Sequence, residues 1–297
     1  MIAPQLAAAA LAWVSATPLR EARTEVGAAV LRAEIVVVGG LTADGAASAR
    51  ADAYSPASGR WRRLPDLPAA VHHPLVASGG GRVYVAGGYG TGLGAGERLR
   101  TVFAFDGVRW RGLPRMPEPR AAGGAAIVGG RLYVVGGVGA GGLARRAFAL
   151  DLRTSRWSAV PAPSPREHLA VTAAGGRIYA LGGRRAGYDT NVATFESWVP
   201  GAARWRRLPD VPGARGGTGA AATSGSLVSV GGEEPAGTIA SVYAWDLAQG
   251  GWRRLPDLPT PRHGLGVVAV GTRVYAVAGG PSPGLTVSGA NEYLDLR

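Results

Sequence analysis

The sequence of 297 residues contains no cysteine and no lysine. The missing cysteine excludes disulfides, thiolate metal ligands and a cysteine nucleophile, and it leaves the redox compartment undecided. No apolar stretch reaches the roughly 20 residues that a membrane-spanning helix needs, so we expect no membrane partner. Histidine is scarce too, with four residues in the whole chain.

Because lysine is absent, all 32 basic residues are arginine, and with 20 acidic residues they give a formal net charge of +12. Such a balance usually favours nucleic-acid binding. Many of these arginines, however, recur in one phrase after a tryptophan, which would spread them around a ring, and no set of stacking aromatic residues accompanies them. We therefore expect no nucleic-acid partner and attribute the bias toward arginine, alanine and glycine to genomic composition.

Glycine is abundant, and its arrangement is the strongest signal in the chain. Short apolar runs such as IVVVGG and LYVVGG end in Gly-Gly pairs at intervals of 46–49 residues, at positions 39–40, 87–88, 136–137, 182–183, 231–232 and 279–280. Runs of β-branched and aromatic residues that stop at glycine are typical of buried strands. A fixed period of this length indicates a repeat architecture.

Each repeat carries the signals of four short strands. A hairpin precedes the Gly-Gly pair, a variable loop and a third strand follow it, and a tryptophan opens the fourth strand, at Trp61, Trp110, Trp157, Trp205 and Trp252. Four antiparallel strands per repeat predict a propeller blade, and six repeats predict an all-β, six-bladed β-propeller. The order of apolar run, Gly-Gly, loop, aromatic residue and tryptophan resembles the kelch motif, and over nearly the whole chain the sequence is similar to bacterial-type kelch-repeat propellers.

The sixth repeat has no tryptophan of its own before the chain stops. Trp13 lies 26 residues before Gly39, as Trp61 lies 26 residues before Gly87. We therefore predict that a strand at 13–16 completes the blade whose other strands come from about 263–296, since an open ring would leave unpaired strand edges. Residues 13–297 would then form a single propeller, and a closed ring predicts a monomer.

Residues 1–12 (MIAPQLAAAALA) are expected to be a tail or the remnant of a signal peptide. Their alanine-rich composition is compatible with the end of an export signal, but the positively charged n-region of a signal peptide is missing, so a plain tail is an equal alternative. The compartment therefore stays open.

All four histidines fall where the chain enters the first strand of a repeat, and we align them to one repeat position: His72, His73, His168 and His263. Arginines recur there too, at Arg23, Arg120, Arg166, Arg215 and Arg262, with Glu25 and Glu167 interleaved. This segment should ring the top mouth of the central channel, so we predict a polar ligand site there, formed by His73, His168, His263, Arg120, Arg166, Arg215 and Arg262. The alternative is structural, because buried polar groups need partners and these side chains could bond loop carbonyls and tie the blades together.

The loops after the Gly-Gly pairs add further candidates on the same face. GRRAGYDTN offers Arg184, Arg185 and Tyr188 for ligand contacts, whereas Glu233 and Glu234 are expected to be solvated. Acidic residues before the third-strand landmark are expected to make inter-strand hydrogen bonds, namely Asp52, Glu196 and Glu292. No H-x-H or HExxH spacing occurs, so no metal or other cofactor is expected.

Two functions stay open. Kelch-like propellers are frequently interaction domains, and no catalytic constellation can be assigned by spacing, so a non-catalytic module for a protein, peptide or glycan is favoured. The resemblance also covers copper-radical oxidases, whose Tyr–Cys crosslink needs the missing cysteine, and sugar mutarotases. For a mutarotase-like isomerase, the acid/base candidates would be His168, Glu196 and Arg166.

Overall fold

The computed structural model describes residues 11–92 and 96–297, and its architecture is the predicted six-bladed β-propeller. The first strand lies alone near the N-terminus: β1 (Trp13–Ser15). Blade 1 contains β2 (Gly27–Leu31), β3 (Glu34–Val38), β4 (Ala51–Ser55) and β5 (Arg60–Arg63). Blade 2 contains β6 (Leu75–Gly79), β7 (Arg82–Ala86), β8 (Val102–Phe105) and β9 (Trp110–Leu113).

Blades 3 and 4 follow the same plan, and a small hairpin after the Gly-Gly pair extends blade 3. Blade 3 contains β10 (Gly124–Val128), β11 (Arg131–Val135), the hairpin β12 (Val138–Gly139) and β13 (Gly142–Leu143), then β14 (Ala147–Asp151) and β15 (Arg156–Val160). Blade 4 contains β16 (Ala170–Ala174), β17 (Arg177–Leu181), a 3-10 turn at Tyr188–Thr190, β18 (Phe195–Trp198) and β19 (Arg206–Leu208).

Blade 5 again carries a hairpin, and blade 6 is built from both ends of the chain. Blade 5 contains β20 (Gly219–Ala222), β21 (Ser226–Val230), the hairpin β22 (Glu233–Glu234) and β23 (Gly237–Thr238), then β24 (Val242–Asp246) and β25 (Trp252–Leu255). Blade 6 contains β26 (Gly266–Val270), β27 (Arg273–Val277) and β28 (Asn291–Asp295). Among the described residues, no helix is long and apolar enough to cross a membrane.

The N-terminal strand closes the ring, as the repeat count predicts. β1 pairs antiparallel with β28, with Trp13 opposite Leu294, and the sheet order is β1-β28-β27-β26. The strand ends at Ser15, one residue before the predicted boundary. Of the predicted tail at 1–12, residues 1–10 lie outside the described part of the chain.

The fourth-strand tryptophans tie each blade to the preceding one. Each indole Nε1 donates to the carbonyl four residues after the equivalent tryptophan: Trp13 to Pro256, Trp61 to Thr17, Trp110 to Pro65, Trp157 to Pro114, Trp205 to Pro161 and Trp252 to Pro209. The six bonds span 2.8–3.0 Å. The proline four residues after the tryptophan recurs at a position whose carbonyl accepts a hydrogen bond from the indole of the next blade.

The Gly-Gly pairs are required by close backbone packing between blades. Gly87 has φ +59°, and a Cβ built on it would lie 2.1 Å from the carbonyl oxygen of Arg120 in the next blade. A side chain cannot fit at that distance, and glycine adopts positive φ without a steric penalty. Around these contacts, apolar strand residues of adjacent blades share cores, as Val36 and Val38 do with Val83, Val85 and Phe105.

Candidate functional site

The first strands of the six blades surround the central channel, which small apolar side chains such as Ala28, Ala125 and Ala220 line. At the entry to these strands, one residue of each blade has left-handed backbone, with φ between 50° and 66°. We call these six residues the collar: Glu25, His73, Ala122, His168, Gly217 and Gly264. Left-handed backbone costs non-glycine residues about 1–2 kcal/mol each, so four of the six collar positions are strained.

A ring of backbone hydrogen bonds holds the collar together. The N–H of His73 donates to the carbonyl of Glu25, the N–H of His168 donates to that of Ala122, and the pattern continues around the channel at 2.7–3.2 Å. It closes where the N–H of Val26 donates to the carbonyl of Gly264. The left-handed turns belong to this ring, in which five collar residues and Val26 donate their N–H groups to the neighbouring blade.

Three collar side chains converge at the channel mouth. Nε2 of His73 lies 3.0 Å from Oε2 of Glu25 and 2.9 Å from Nε2 of His168. Together with the backbone of the collar they border a cavity of about 90 Å³. Both histidines are among the ligand-site residues predicted from the sequence. Glu25 is not, and the sequence marks it only as an acidic residue near the recurring arginines.

The residues one position before the collar orient these side chains from behind. Nε2 of His72 donates to the carbonyl of Thr91 at 2.8 Å, and its Nδ1 lies 2.6 Å from Nδ1 of His73. Oε2 of Glu167 lies 3.0 Å from Nδ1 of His168, and Nδ1 of His263 lies 3.1 Å from Oε1 of Glu25. Each converging side chain thus has a buried partner on its far side.

The histidines therefore occupy two adjacent repeat positions, and their alignment to one position is wrong. His73 and His168 are collar residues, whereas His72 and His263 precede the collar by one residue. The ring of His263 points to Glu25 and to the carbonyls of Ser282 and Gly284. The reason is the turn itself, because the residue with left-handed backbone borders the cavity at the mouth and the residue before it does not.

Arg184 lies in the same network and has three partners. Its guanidinium donates to Oε1 of Glu167 at 2.9 Å, to Oε1 of Glu233 at 2.7 Å and to Nε2 of His168 at 2.9 Å. Glu233 is buried, so the expectation that it is solvated is wrong, whereas Glu234 is exposed. The charge of Arg184 offsets the desolvation of the Glu233 carboxylate.

Burial and neighbouring charges shift the pKa values of these groups in different directions. Burial lowers the pKa of His73 to about 3, so this imidazole is neutral at neutral pH. Burial also acts to lower the pKa of His263, but the hydrogen bond and charge of Glu25 raise it above its ordinary value. Burial alone would raise the pKa of Glu25, yet its histidine neighbours hold it well below the usual range. The mouth therefore carries an ionised carboxylate next to neutral imidazole nitrogen.

The recurring arginines lie behind the collar and are almost wholly buried. All five are at most 1% exposed: Arg23, Arg120, Arg166, Arg215 and Arg262. Arg166 donates to the carbonyls of Gly182 and Ala180 and pairs with Glu196 at 2.5 Å. The equivalent pairs are Arg23 with Asp52 and Arg262 with Glu292, each at 2.6 Å. These contacts hold strands and loops together. The carboxylates of Asp52, Glu196 and Glu292 therefore bind the buried arginines that precede the first strands.

The candidate acid/base set for an isomerase is divided between two networks. The Glu196 carboxylate accepts hydrogen bonds from Arg166 and from the hydroxyl and backbone N–H of Ser164. The ring of His168 instead contacts His73, Arg184 and Glu167. Among the described residues, no side-chain hydrogen bond joins the two groups.

Arg185, one of the exposed candidates, borders a different opening on the top face. An open cleft of about 330 Å³ between blades 3 and 4 is lined by Leu143, Arg145, Ser164, Pro165, Arg166, Arg185, Val192 and Thr194. Arg145 and Arg185 are exposed, and within residues 11–92 and 96–297 neither guanidinium has a hydrogen-bond or salt-bridge partner. Tyr188 follows Arg185 on the same loop and is 42% exposed. We call this opening the arginine cleft.

Comparison with known proteins matches the repeats to one family. The family model described as the KLHDC2/KLHL20/DRC7 Kelch-repeats domain matches residues 25–199 and 111–280. A similar curated protein is human Kelch-like protein 34, which is 33% identical over 94 residues, 31% of this chain. The match spans 15% of that relative's length. Kelch-repeat propellers typically mediate protein–protein interaction, which is consistent with a binding module.

Proposed function

Since the chain belongs to the kelch-repeat propeller family, we propose that it is a protein-binding module whose arginine cleft takes an acidic segment of a partner. The propeller of residues 13–297, acting as a monomer, is the proposed binding unit. The observation that carries the proposal is the pair of exposed, unpartnered guanidiniums of Arg145 and Arg185 on either side of an open cleft.

The chemistry of the cleft favours carboxylate ligands. A guanidinium presents a planar fork of donors that matches a carboxylate in bidentate geometry. Leu143 and Val192 supply apolar surface between the two charges, which suits the aliphatic part of a peptide. The net charge of +12 would also attract an acidic partner and speed its encounter.

A peptide fits the cleft better than the other ligand classes predicted from the sequence. Exposed Tyr188 offers a ring on which a sugar can stack, which is the feature that favours a glycan. Yet the carboxylates next to the mouth, Glu25, Glu167 and Glu233, are already bonded to histidine or arginine. An acidic peptide needs only the two free guanidiniums, whereas a sugar isomerase needs an acid/base pair that Glu196 and His168 do not form.

The test is a selection of binders from a random peptide library displayed on phage, followed by affinity measurements on synthetic peptides. We expect the enriched peptides to contain clustered Asp and Glu. The double variant Arg145→Glu/Arg185→Glu should weaken their binding at least about tenfold, because each reversed charge repels the ligand. Added salt should weaken binding to the parent protein as well.

The matched control is Arg253→Glu, an exposed arginine on β25 at the outer edge of blade 5. It makes the same charge change away from the cleft and should leave peptide affinity nearly unchanged. Enriched peptides without acidic residues, or equal losses in control and cleft variants, would refute the cleft. A glycan array in parallel would overturn the peptide proposal if sugars bind and acidic peptides do not.

A further inference from the structure

The hydrogen-bond donors around the collar leave two imidazole nitrogens without a hydrogen of their own, next to a carboxylate oxygen. Nε2 of His72 faces the carbonyl of Thr91, which only accepts, so this nitrogen carries the hydrogen and Nδ1 of the neutral ring is bare. Nδ1 of His73, 2.6 Å away, must then be the donor of that contact, which leaves Nε2 of His73 bare.

The same reasoning applies to His168. Nη2 of Arg184 lies 2.9 Å from Nε2 of His168, and a guanidinium can only donate, so this nitrogen bears a lone pair. Its hydrogen is on Nδ1, 3.0 Å from Glu167. Nε2 of His73, Nε2 of His168 and Oε2 of Glu25 therefore converge with no hydrogen between them. Lone pairs at 2.9–3.0 Å repel one another unless a cation lies among them.

From this convergence we infer that Glu25, His73 and His168 bind a divalent transition-metal ion, with Zn²⁺ as the best match. Two imidazoles and one carboxylate form a three-ligand set that Zn²⁺ accepts, leaving a fourth position open for water. The three ligand atoms lie within 4.8 Å of one another. Tetrahedral Zn²⁺ with bonds of about 2.0–2.1 Å separates its ligand atoms by about 3.3 Å. The contacts of His73 with Glu25 (3.0 Å) and with His168 (2.9 Å) must therefore open by a few tenths of an ångström, and the Glu25 and His168 ligand atoms lie within 4.8 Å of each other.

The surroundings support the same assignment. Metal-bound histidines ordinarily donate their second nitrogen to a carboxylate or another acceptor, which fixes the tautomer. Here His72 accepts from His73, and His263 contacts the other oxygen of Glu25. The carboxylate of Glu167 lies 3.0 Å from Nδ1 of His168, although it is not aligned for a hydrogen bond. The cavity of about 90 Å³ beside the three ligands has room for the water on the open position. The ligands are also three of the four strained collar residues, at positions where two other blades have glycine.

Arg184 competes with the metal for the lone pair on Nε2 of His168. Its guanidinium uses the lone pair of His168 that the metal needs, and it brings a positive charge to the site. Metal binding must break that one contact, while Glu167 and Glu233 continue to hold the arginine. Replacing Arg184 with a neutral residue should therefore tighten metal binding, an effect that a purely structural network does not predict.

The experiment uses the 297-residue chain without a histidine tag, stripped with a chelator and titrated with Zn²⁺ by calorimetry. We expect one Zn²⁺ per chain, and Co²⁺ should give the visible absorption of a low-coordinate site. His73→Ala and His168→Ala should each weaken Zn²⁺ binding about 100-fold or more. Arg184→Gln should tighten it several-fold, whereas Arg185→Gln, the neighbouring exposed arginine, should leave it unchanged.

Two results would overturn the site. One is the absence of stoichiometric Zn²⁺ binding by the folded parent protein, which would leave a proton on His73 as the cation between the lone pairs. The other is unchanged Zn²⁺ affinity in both histidine variants. If an alanine variant does not fold, Glu25→Gln keeps a hydrogen-bond acceptor for His263 while removing the ligand charge. Added Zn²⁺ should then raise the melting temperature of the parent but not of Glu25→Gln.

Discussion

The indole nitrogen of Trp13 donates a 2.9 Å hydrogen bond to the carbonyl of Pro256, across 243 residues of sequence. In turn, the indole of Trp61 donates to the carbonyl of Thr17, at the place where the other repeats have proline. The N-terminal strand is thus both the donor for blade 5 and the acceptor for blade 1. It completes the sheet of blade 6 and the circle of tryptophan contacts together.

Removing this strand should destabilise the whole ring. Deletion of residues 1–17 exposes the edge of β28 and removes two of the six indole contacts, so we expect a large drop in melting temperature and association through the bare edge. Trp13→Ala alone should cost about 2 kcal/mol or more, from lost packing and one hydrogen bond. Urea denaturation checks both, with Trp157→Ala as the internal equivalent. A truncated chain that melts like the parent would contradict the closure.

The buried ion pair of Arg166 and Glu196 predicts a non-additive pair of variants. Arg166→Met leaves the Glu196 carboxylate buried without its cation, which should cost about 3–5 kcal/mol. Adding Glu196→Leu removes that stranded charge, so the double variant should be more stable than Arg166→Met. It should stay below the parent, because Arg166 also bonds the carbonyls of Gly182 and Ala180. Chemical denaturation of the double-mutant cycle measures the coupling, and simple additivity would contradict this account.

The collar predicts opposite effects of glycine and alanine at equivalent positions. Ala122→Gly should stabilise by up to about 1 kcal/mol, since relief of left-handed strain exceeds the added entropy of the unfolded chain. Gly264→Ala should destabilise, because the new Cβ would lie 2.5 Å from Oε1 of Glu25. Thermal melts of the two variants provide the comparison. A lower melting temperature for Ala122→Gly would show that the collar backbone is not strained.

Three turn aspartates predict a component of acid sensitivity. Backbone N–H groups donate to Asp106, Asp151 and Asp246, and these bonds lower the pKa of each carboxyl below its ordinary value. A lowered folded-state pKa gives stability that is complete above the unfolded pKa, about 4, and disappears as the pH falls through the lowered value. The triple Asp→Asn variant lacks this component at every pH. Its melting temperature should therefore lie below the parent's by a constant amount above about pH 5. The gap should close below pH 4, and a gap that widens in acid would contradict the assignment.

Much of the architecture follows from local signals. The Gly-Gly period, the Trp phrase and the position of Trp13 predict six blades and their closure, because strand alternation, glycine turns and repeat length depend on residues near one another in the chain. The same repeat alignment places Glu25, His73 and His168 in the segment that borders the mouth of the channel. The repeat alignment was wrong by one residue at His263. It placed His263 with the collar residues, although His263 comes one position before the collar.

The number of blades, their strand order and the segment that borders the channel follow from the sequence alone. Which side chains meet there depends on the folded ring. His73 and His168 are separated by 95 residues, and their convergence depends on the ring of backbone hydrogen bonds that turns each collar residue toward the channel. Burial of Glu233 also depends on another blade, because its partner Arg184 lies 49 residues away in blade 4. Three of the recurring arginines find their carboxylates within their own blades but about 30 residues away, as Arg166 does with Glu196, and no local pattern in the chain encodes such pairings.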